Sequence, residues 1–117
     1  MGKLVLVEQV GAVRVLTLNR AERHNSLVPE LLGEMLAAVE AVGAQANVRA
    51  VVLQANGRSF STGGAVRGFY EHRDNLETYS AGIVGLLNRV ILAMIELPVP
   101  IVAAVHGMVT GGSMGLV

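Results

Sequence analysis

Two short stretches carry the residue types best suited to chemistry. "RSFSTGGAVRGF" (residues 58–69) sets Gly63 beside Gly64, and "HGMVTGGSMGLV" (106–117) sets Gly111 beside Gly112. Adjacent glycines are entropically costly, so a fold keeps them where the backbone must turn tightly or be approached closely. Three uses fit. The first is turning alone. The second is phosphate cradling, but no G-x-x-x-x-G-K-[ST] occurs, and "TGGSMG" has Thr110 where G-x-G-x-x-G needs its first glycine. The third is an oxyanion hole, in which unpaired N–H groups at a helix start point at an oxygen that gains negative charge. Two such loops on neighbouring strands would aim one N–H each at a single point, and only this use asks for two pairs. The second stretch also holds Gly111-x-Ser113-x-Gly115, the G-x-S-x-G spacing of a nucleophile elbow. A serine nucleophile needs a base. The histidines are poor partners by pattern, because His106 closes a strand while His24 and His72 lie in polar, solvated stretches.

The elements that position these groups are marked by their periods. "KLVLVEQV" and "VRVLTL", divided by Gly11, read as a strand hairpin, followed by a polar loop, "NRAERHNS". In "LVPELLGEMLAAVEAVGAQ" Leu32, Met35, Leu36 and Val39 recur at helical spacing, with Pro29 suited to the first turn and Glu30, Glu34 and Glu40 forming the wet face. "VRAVVLQA" (48–55) is a β-branched run of the kind a strand buried on both faces requires, and Asn56-Gly57 signals a turn. From Leu76 to Leu97 the apolar positions Tyr79, Ile83, Leu86, Leu87, Val90, Ile91 and Met94 predict a long amphipathic helix, stopped by Pro98 and Pro100. Glu71, His72, Arg73 and Asp74 read as a surface turn. "IVAAVHG" reads as a further buried strand and "GGSMGLV" as a helix start, with Met35, Met94, Met108 and Met114 as core fillers. The order predicts an α/β fold with a mostly parallel sheet. Both glycine pairs then sit where a strand gives way to a helix, at the edge where ligands gather in such folds.

Composition narrows the partners. With 117 residues there is room for one modest domain. Nine Lys plus Arg are balanced by nine Asp plus Glu, which argues against nucleic acid, whose phosphates need an excess of cations. The absence of cysteine removes disulfide frameworks and thiolate metal sites, and no metal-ligand spacing occurs. No uninterrupted apolar run reaches the roughly 18 residues of a membrane span. The expectation is a cytoplasmic protein that engages neither nucleic acid nor membrane. The chain ends on Gly115-Leu116-Val117 in mid-pattern, without cap or polar tail.

Three blocks, "VRVLTLNRAERHNSL", "VRAVVLQANGRSFSTGGAV" and "LPVPIVAAVHGMVTGGSMGL", together resemble the crotonase family of enoyl-CoA hydratases and isomerases over nearly the whole chain. The resemblance implies a spiral of ββα units, with residues 1–117 forming the N-terminal part of a single crotonase-like domain. The chain is thus expected to be truncated, its C-terminal trimerisation region absent, and the full-length form to be a homotrimer or hexamer. It further implies an acyl-CoA substrate, with coenzyme A present only as part of that substrate and no other cofactor. By position, the oxyanion amides would be those of Gly64 and Gly112. Substrate binding would fall to Arg23, Gly64, Ala65, Val66, Arg67 and Gly112, with Arg67 near the phosphates of coenzyme A.

Departures from the family pattern bear on the reaction. Hydratases carry a glutamate three residues beyond the second oxyanion glycine, where this chain has Gly115, and a second one that would lie beyond Val117. The usual aspartate after the first oxyanion residue is Ala65, and the usual proline after Arg20 is Ala21. Without the first glutamate, hydration loses a proton carrier. Isomerisation or other enolate chemistry is therefore expected over hydration. Two alternatives stand beside it: a serine hydrolase using Ser113, whose turn resembles that of the Clp-type proteases with the same fold, and a non-catalytic crotonase-like scaffold.

Overall fold

The computed structural model describes residues 3–117. Among the described residues one sheet forms, with strands in the order β1 (Val5–Val10), β2 (Val13–Leu18), β3 (Ala50–Ala55) and β4 (Ile101–Ala103). β1 and β2 make an antiparallel hairpin that pairs Val10 with Val13. β3 runs parallel to β2, and β4 parallel to β3. The crossovers are helical: α1 (Pro29–Gly43) joins β2 to β3, and a short α2 (Val66–Glu71) precedes the long α3 (Leu76–Glu96) between β3 and β4. The alternation read from the sequence is the architecture observed.

One core holds these layers together. Leu31, Leu32, Met35, Val39 and Val42 form the buried stripe of α1, and Ile83 and Val90 that of α3. They close over Val5, Leu16, Leu18, Val51 and Leu53 of the sheet. Each such side chain contributes about 1.5–3 kcal/mol when fully buried. Pro29 opens α1, where its missing N–H costs no hydrogen bond. α3 stops at Leu97, which turns extended just before Pro98, as residues before proline do.

Several expectations need correction. β3 is not covered on both faces: Val51 and Leu53 are buried while Val52 and Gln54 are half-buried. β4 is shorter than "IVAAVHG", with Val102 exposed, because it is the sheet edge and the helices cover one face only. Glu34 does not belong to a wet face. Its Oε1 accepts hydrogen bonds from the Leu4 and Val5 N–H groups, at 2.8 and 3.1 Å, and ties α1 to the start of β1. α2 follows Gly64, where a helix was expected after the strand, but its bounds were not legible because six residues with none buried leave no periodic stripe. The segment "GGSMGL" is a 3-10 helix, Gly111–Leu116, and Met108 and Met114 are exposed rather than core. The span Arg73–Glu96 is long and apolar enough, by length and composition, to cross a membrane, although charges interrupt its apolar run. It packs along α1 and leaves Val84, Leu92 and Ile95 outward.

Candidate functional site

Three loops leave the carboxyl ends of β2, β3 and β4 and converge. The first, after β2, makes a 3-10 turn at Ala21–Arg23 and then places His24 and Asn25 in succession at φ of 54° and 52°. Two left-handed non-glycine residues in a row need support. Asn25 supplies it from full burial: its Oδ1 accepts the Arg20 N–H at 2.7 Å, and its Nδ2 donates to the carbonyls of Asn56 and Ser59 at 2.9 and 3.0 Å. The Arg20 guanidinium donates to the Ser26 carbonyl at 3.2 Å and so closes the same loop. The second loop then runs between the other two as an extra strand. Ser61 pairs with Val109 through the Met108 carbonyl and the Thr110 N–H, and Gly64 pairs with Leu27.

This pairing brings the glycine pairs into contact. Gly63 has φ of +80°, and a Cβ there would come within 2.7 Å of the Thr110 carbonyl oxygen and 3.3 Å of the Gly112 nitrogen. Gly111, at φ +59°, packs back on the Gly63 Cα. The Leu27 bridge uses the Gly63 carbonyl (2.7 Å) and the Ala65 N–H (3.4 Å), so the Gly64 N–H is directed away from Leu27. The Gly112 N–H lies ahead of the first bond of the 3-10 helix, Ser113 N–H to the Thr110 carbonyl at 3.3 Å. Neither the Gly64 nor the Gly112 N–H has an acceptor among the described residues. Unpaired backbone donors are uncommon in folded chains and are met by water or ligand where they occur.

A cleft of about 500 Å³ opens beside Gly64, lined by Arg20, Arg23, Ser26, Thr62, Gly64, Ala65, Val66 and Arg67. It gathers Arg23, Gly64, Ala65, Val66 and Arg67, the residues singled out in the sequence, and adds Arg20, Ser26 and Thr62. Gly112 does not line this cleft; it reaches the site through the Gly63 contact, with Leu87 and Leu27 on its other side. Polar residues packed into "NRAERHNS" and "RSFST" were the available signal for the added ones. Arg67 forms a 3.6 Å ion pair with Glu71 on the solvent side, its side chain 72% exposed, so the guanidinium is free to exchange partners. Three arginines at one cleft favour an anionic group.

The ring of Phe69 lies against Gly64, where a Cβ would come within 2.7 Å of it. Phe69 meets Tyr79 edge-on at 5.5 Å, and His72 stacks on the same tyrosine at 4.0 Å. His72 is therefore not a solvated turn residue. Its Nδ1 sits 2.9 Å from the Gly68 carbonyl at the end of α2, and its stacking on Tyr79 fastens α2 to α3.

Ser113 is completely buried, and its single hydroxyl proton lies between two carbonyls, that of Thr110 at 2.6 Å and that of Ser61 at 3.1 Å. The described histidines are engaged elsewhere, His24 with Ser59 Oγ and His106 with the Gly57 carbonyl. Solvent does not reach this hydroxyl and no described histidine bonds it, which is not the exposed serine and adjacent base that a nucleophile elbow presents. Gly115 faces α3: a Cβ there would meet Ile91 at 3.1 Å, in an apolar cleft with Met94, Leu97 and Ile101. Among the described residues no three His, Asp or Glu side chains cluster to hold a metal.

The family model described as enoyl-CoA hydratase/isomerase matches residues 8–117. A Mycobacterium bovis protein named a probable enoyl-CoA hydratase is 38% identical over 118 residues, covering 97% of this chain and 41% of the relative. A trans-2-decenoyl-[acyl-carrier-protein] isomerase of Streptococcus mutans is 30% identical, covering 97% of this chain and 44% of its own length. The crystal structure of an enoyl-CoA hydratase/isomerase from Xanthobacter autotrophicus superposes with a TM-score of 0.87 at 33% identity, covering 97% of this chain and 42% of that one. The chain thus spans about two fifths of the length of these relatives.

Proposed function

The chain belongs to the enoyl-CoA hydratase/isomerase family, and from that premise we propose that it builds the thioester-binding part of an acyl-CoA enzyme that works through an enolate. The observation that carries the reading is the contact of the two glycine turns, each with an acceptor-free N–H, beside an arginine-lined cleft. A thioester oxygen held by the Gly64 and Gly112 amides becomes a better electron sink, and the proton on the neighbouring carbon becomes easier to remove. A preorganised donor of this kind typically contributes about 3–4 kcal/mol to the transition state. Arg20, Arg23 and Arg67 suit the phosphates of a pantetheine carrier. The relatives' names include both coenzyme A and acyl-carrier-protein thioesters, which share that arm.

Isomerisation, or another enolate reaction, is favoured over hydration. Gly115 has no side chain to move a proton, and that contribution is worth roughly 10² to 10⁴ in rate. The test is calorimetry of the intact protein with acetoacetyl-CoA and octanoyl-CoA. Binding is expected, weakened up to about tenfold in Arg67→Ala, as loss of one exposed charged contact would give. No binding at millimolar ligand would turn the case to a non-catalytic scaffold. Crotonyl-CoA hydration is expected to be poor beside 3-enoyl-CoA isomerisation, and hydratase-level turnover would remove the preference. Labelling of Ser113 by a fluorophosphonate would revive the hydrolase alternative.

A further inference from the structure

The geometry points to a buried hydroxyl relay, Asn25–Ser61–Ser113, as the device that sets the two oxyanion amides against each other; it rests on the function proposed above. The three side chains are fully buried and each comes from a different loop. Ser113 Oγ shares its proton between the Thr110 carbonyl at 2.6 Å and the Ser61 carbonyl at 3.1 Å; with the Thr110 N–H, which donates to the same Ser61 carbonyl at 3.2 Å, it joins the third loop to the second. Ser61 Oγ donates to the Asn25 carbonyl at 2.8 Å and joins the second loop to the first. The same Ser61 Oγ accepts the Gly63 N–H at 3.3 Å, one residue before the Gly64 amide. Ser113 follows Gly112 directly. Gly112 is therefore next to one relay hydroxyl and Gly64 next to Gly63, whose N–H the other accepts, while neither amide has an acceptor among the described residues.

Side-chain hydrogen bonds suit this task. Gly63, Gly64, Gly111 and Gly112 have no side chains with which to lock their turns, and the 3-10 helix is a soft element with poor bond geometry. The relay acts at the neighbouring residues and leaves the site-facing donors free. Ser113 is accordingly a positioning residue, not a nucleophile, and it acts through the Gly112 amide.

The test uses the intact protein and an acetoacetyl-CoA labelled with ¹³C at the thioester carbonyl. Difference infrared spectroscopy reads how far bound carbonyl stretching falls below its value in water, calorimetry gives Kd, and thermal unfolding controls for folding. Wild type is expected to show the downward shift. Ser113→Ala and Ser61→Ala should each lose most of it while Kd stays within about threefold, because the arginine cleft is untouched and a misplaced donor harms polarisation more than affinity. Ser113→Thr, which keeps the hydroxyl, should restore the shift. If Ser113→Ala does not fold, Ser113→Cys, a weak donor of similar volume, carries the same comparison. An unchanged shift in folded Ser113→Ala or Ser113→Cys overturns the relay and leaves the oxyanion reading standing. Ligand bound without any shift in wild type overturns the oxyanion reading, and the relay with it.

Discussion

Within each glycine pair the two members do different work. Gly63 holds a left-handed φ and has the Thr110 carbonyl where a Cβ would go, so both the conformation and the space exclude a side chain. Gly64 has an ordinary φ and only the side-chain ring of Phe69, not backbone, in the way. Gly63→Ala is expected to destabilise by at least about 1–2 kcal/mol from the left-handed conformation alone, with further loss from the carbonyl clash. Gly64→Ala should cost distinctly less, since Phe69 can turn aside. Urea unfolding of the two variants compares them directly, and Gly63→Ala matching wild type would mean the turns do not touch as described. The pairs themselves were plain in the sequence. Asn25 was not: one asparagine in a polar loop gives no sign that it will be buried and hold two left-handed residues in place.

Among the elements, long and periodic ones were legible and the short β4 was legible only in part, read as longer than it is. α1 and α3 each repeat an apolar stripe over several turns, and β1, β2 and β3 are bounded by glycine or polar runs. α2 buries nothing and so leaves no pattern. Glu34 shows the other limit, because helical spacing assigns it to solvent, and only the tertiary fold brings the β1 amides to it. This is testable against its neighbours. Glu34→Ala leaves two backbone donors without their charged acceptor and should cost about 1–3 kcal/mol. Glu30→Ala and Glu40→Ala, both on exposed positions of α1, should fall within about 0.5 kcal/mol of wild type. Equal unfolding midpoints for all three would show that the α1–β1 tie contributes nothing.

Across the whole molecule, the alternation of elements along the chain predicted a mostly parallel sheet, since helical crossovers connect parallel strands. It did not predict how much apolar surface stays open. Val102 on β4 and Val84, Leu92 and Ile95 on α3 face outward because the helices cover only one side of the sheet. The strand order β1-β2-β3-β4 has a consequence for biosynthesis. Every strand pairs with the one translated just before it, so the growing chain always offers a finished edge to the next strand as it leaves the ribosome. Domains form from the N-terminus during synthesis on this principle. The glycine contact, by contrast, joins residues on either side of α3 and must wait for the loop after β4. Nascent chains arrested with β3 outside the ribosome should already protect the hairpin and α1 from protease, yet fail to retain an acyl-CoA affinity resin. Retention by those early chains would show that the third loop is dispensable. The sheet takes shape in chain order, and the glycine contact closes only once β4 has been made.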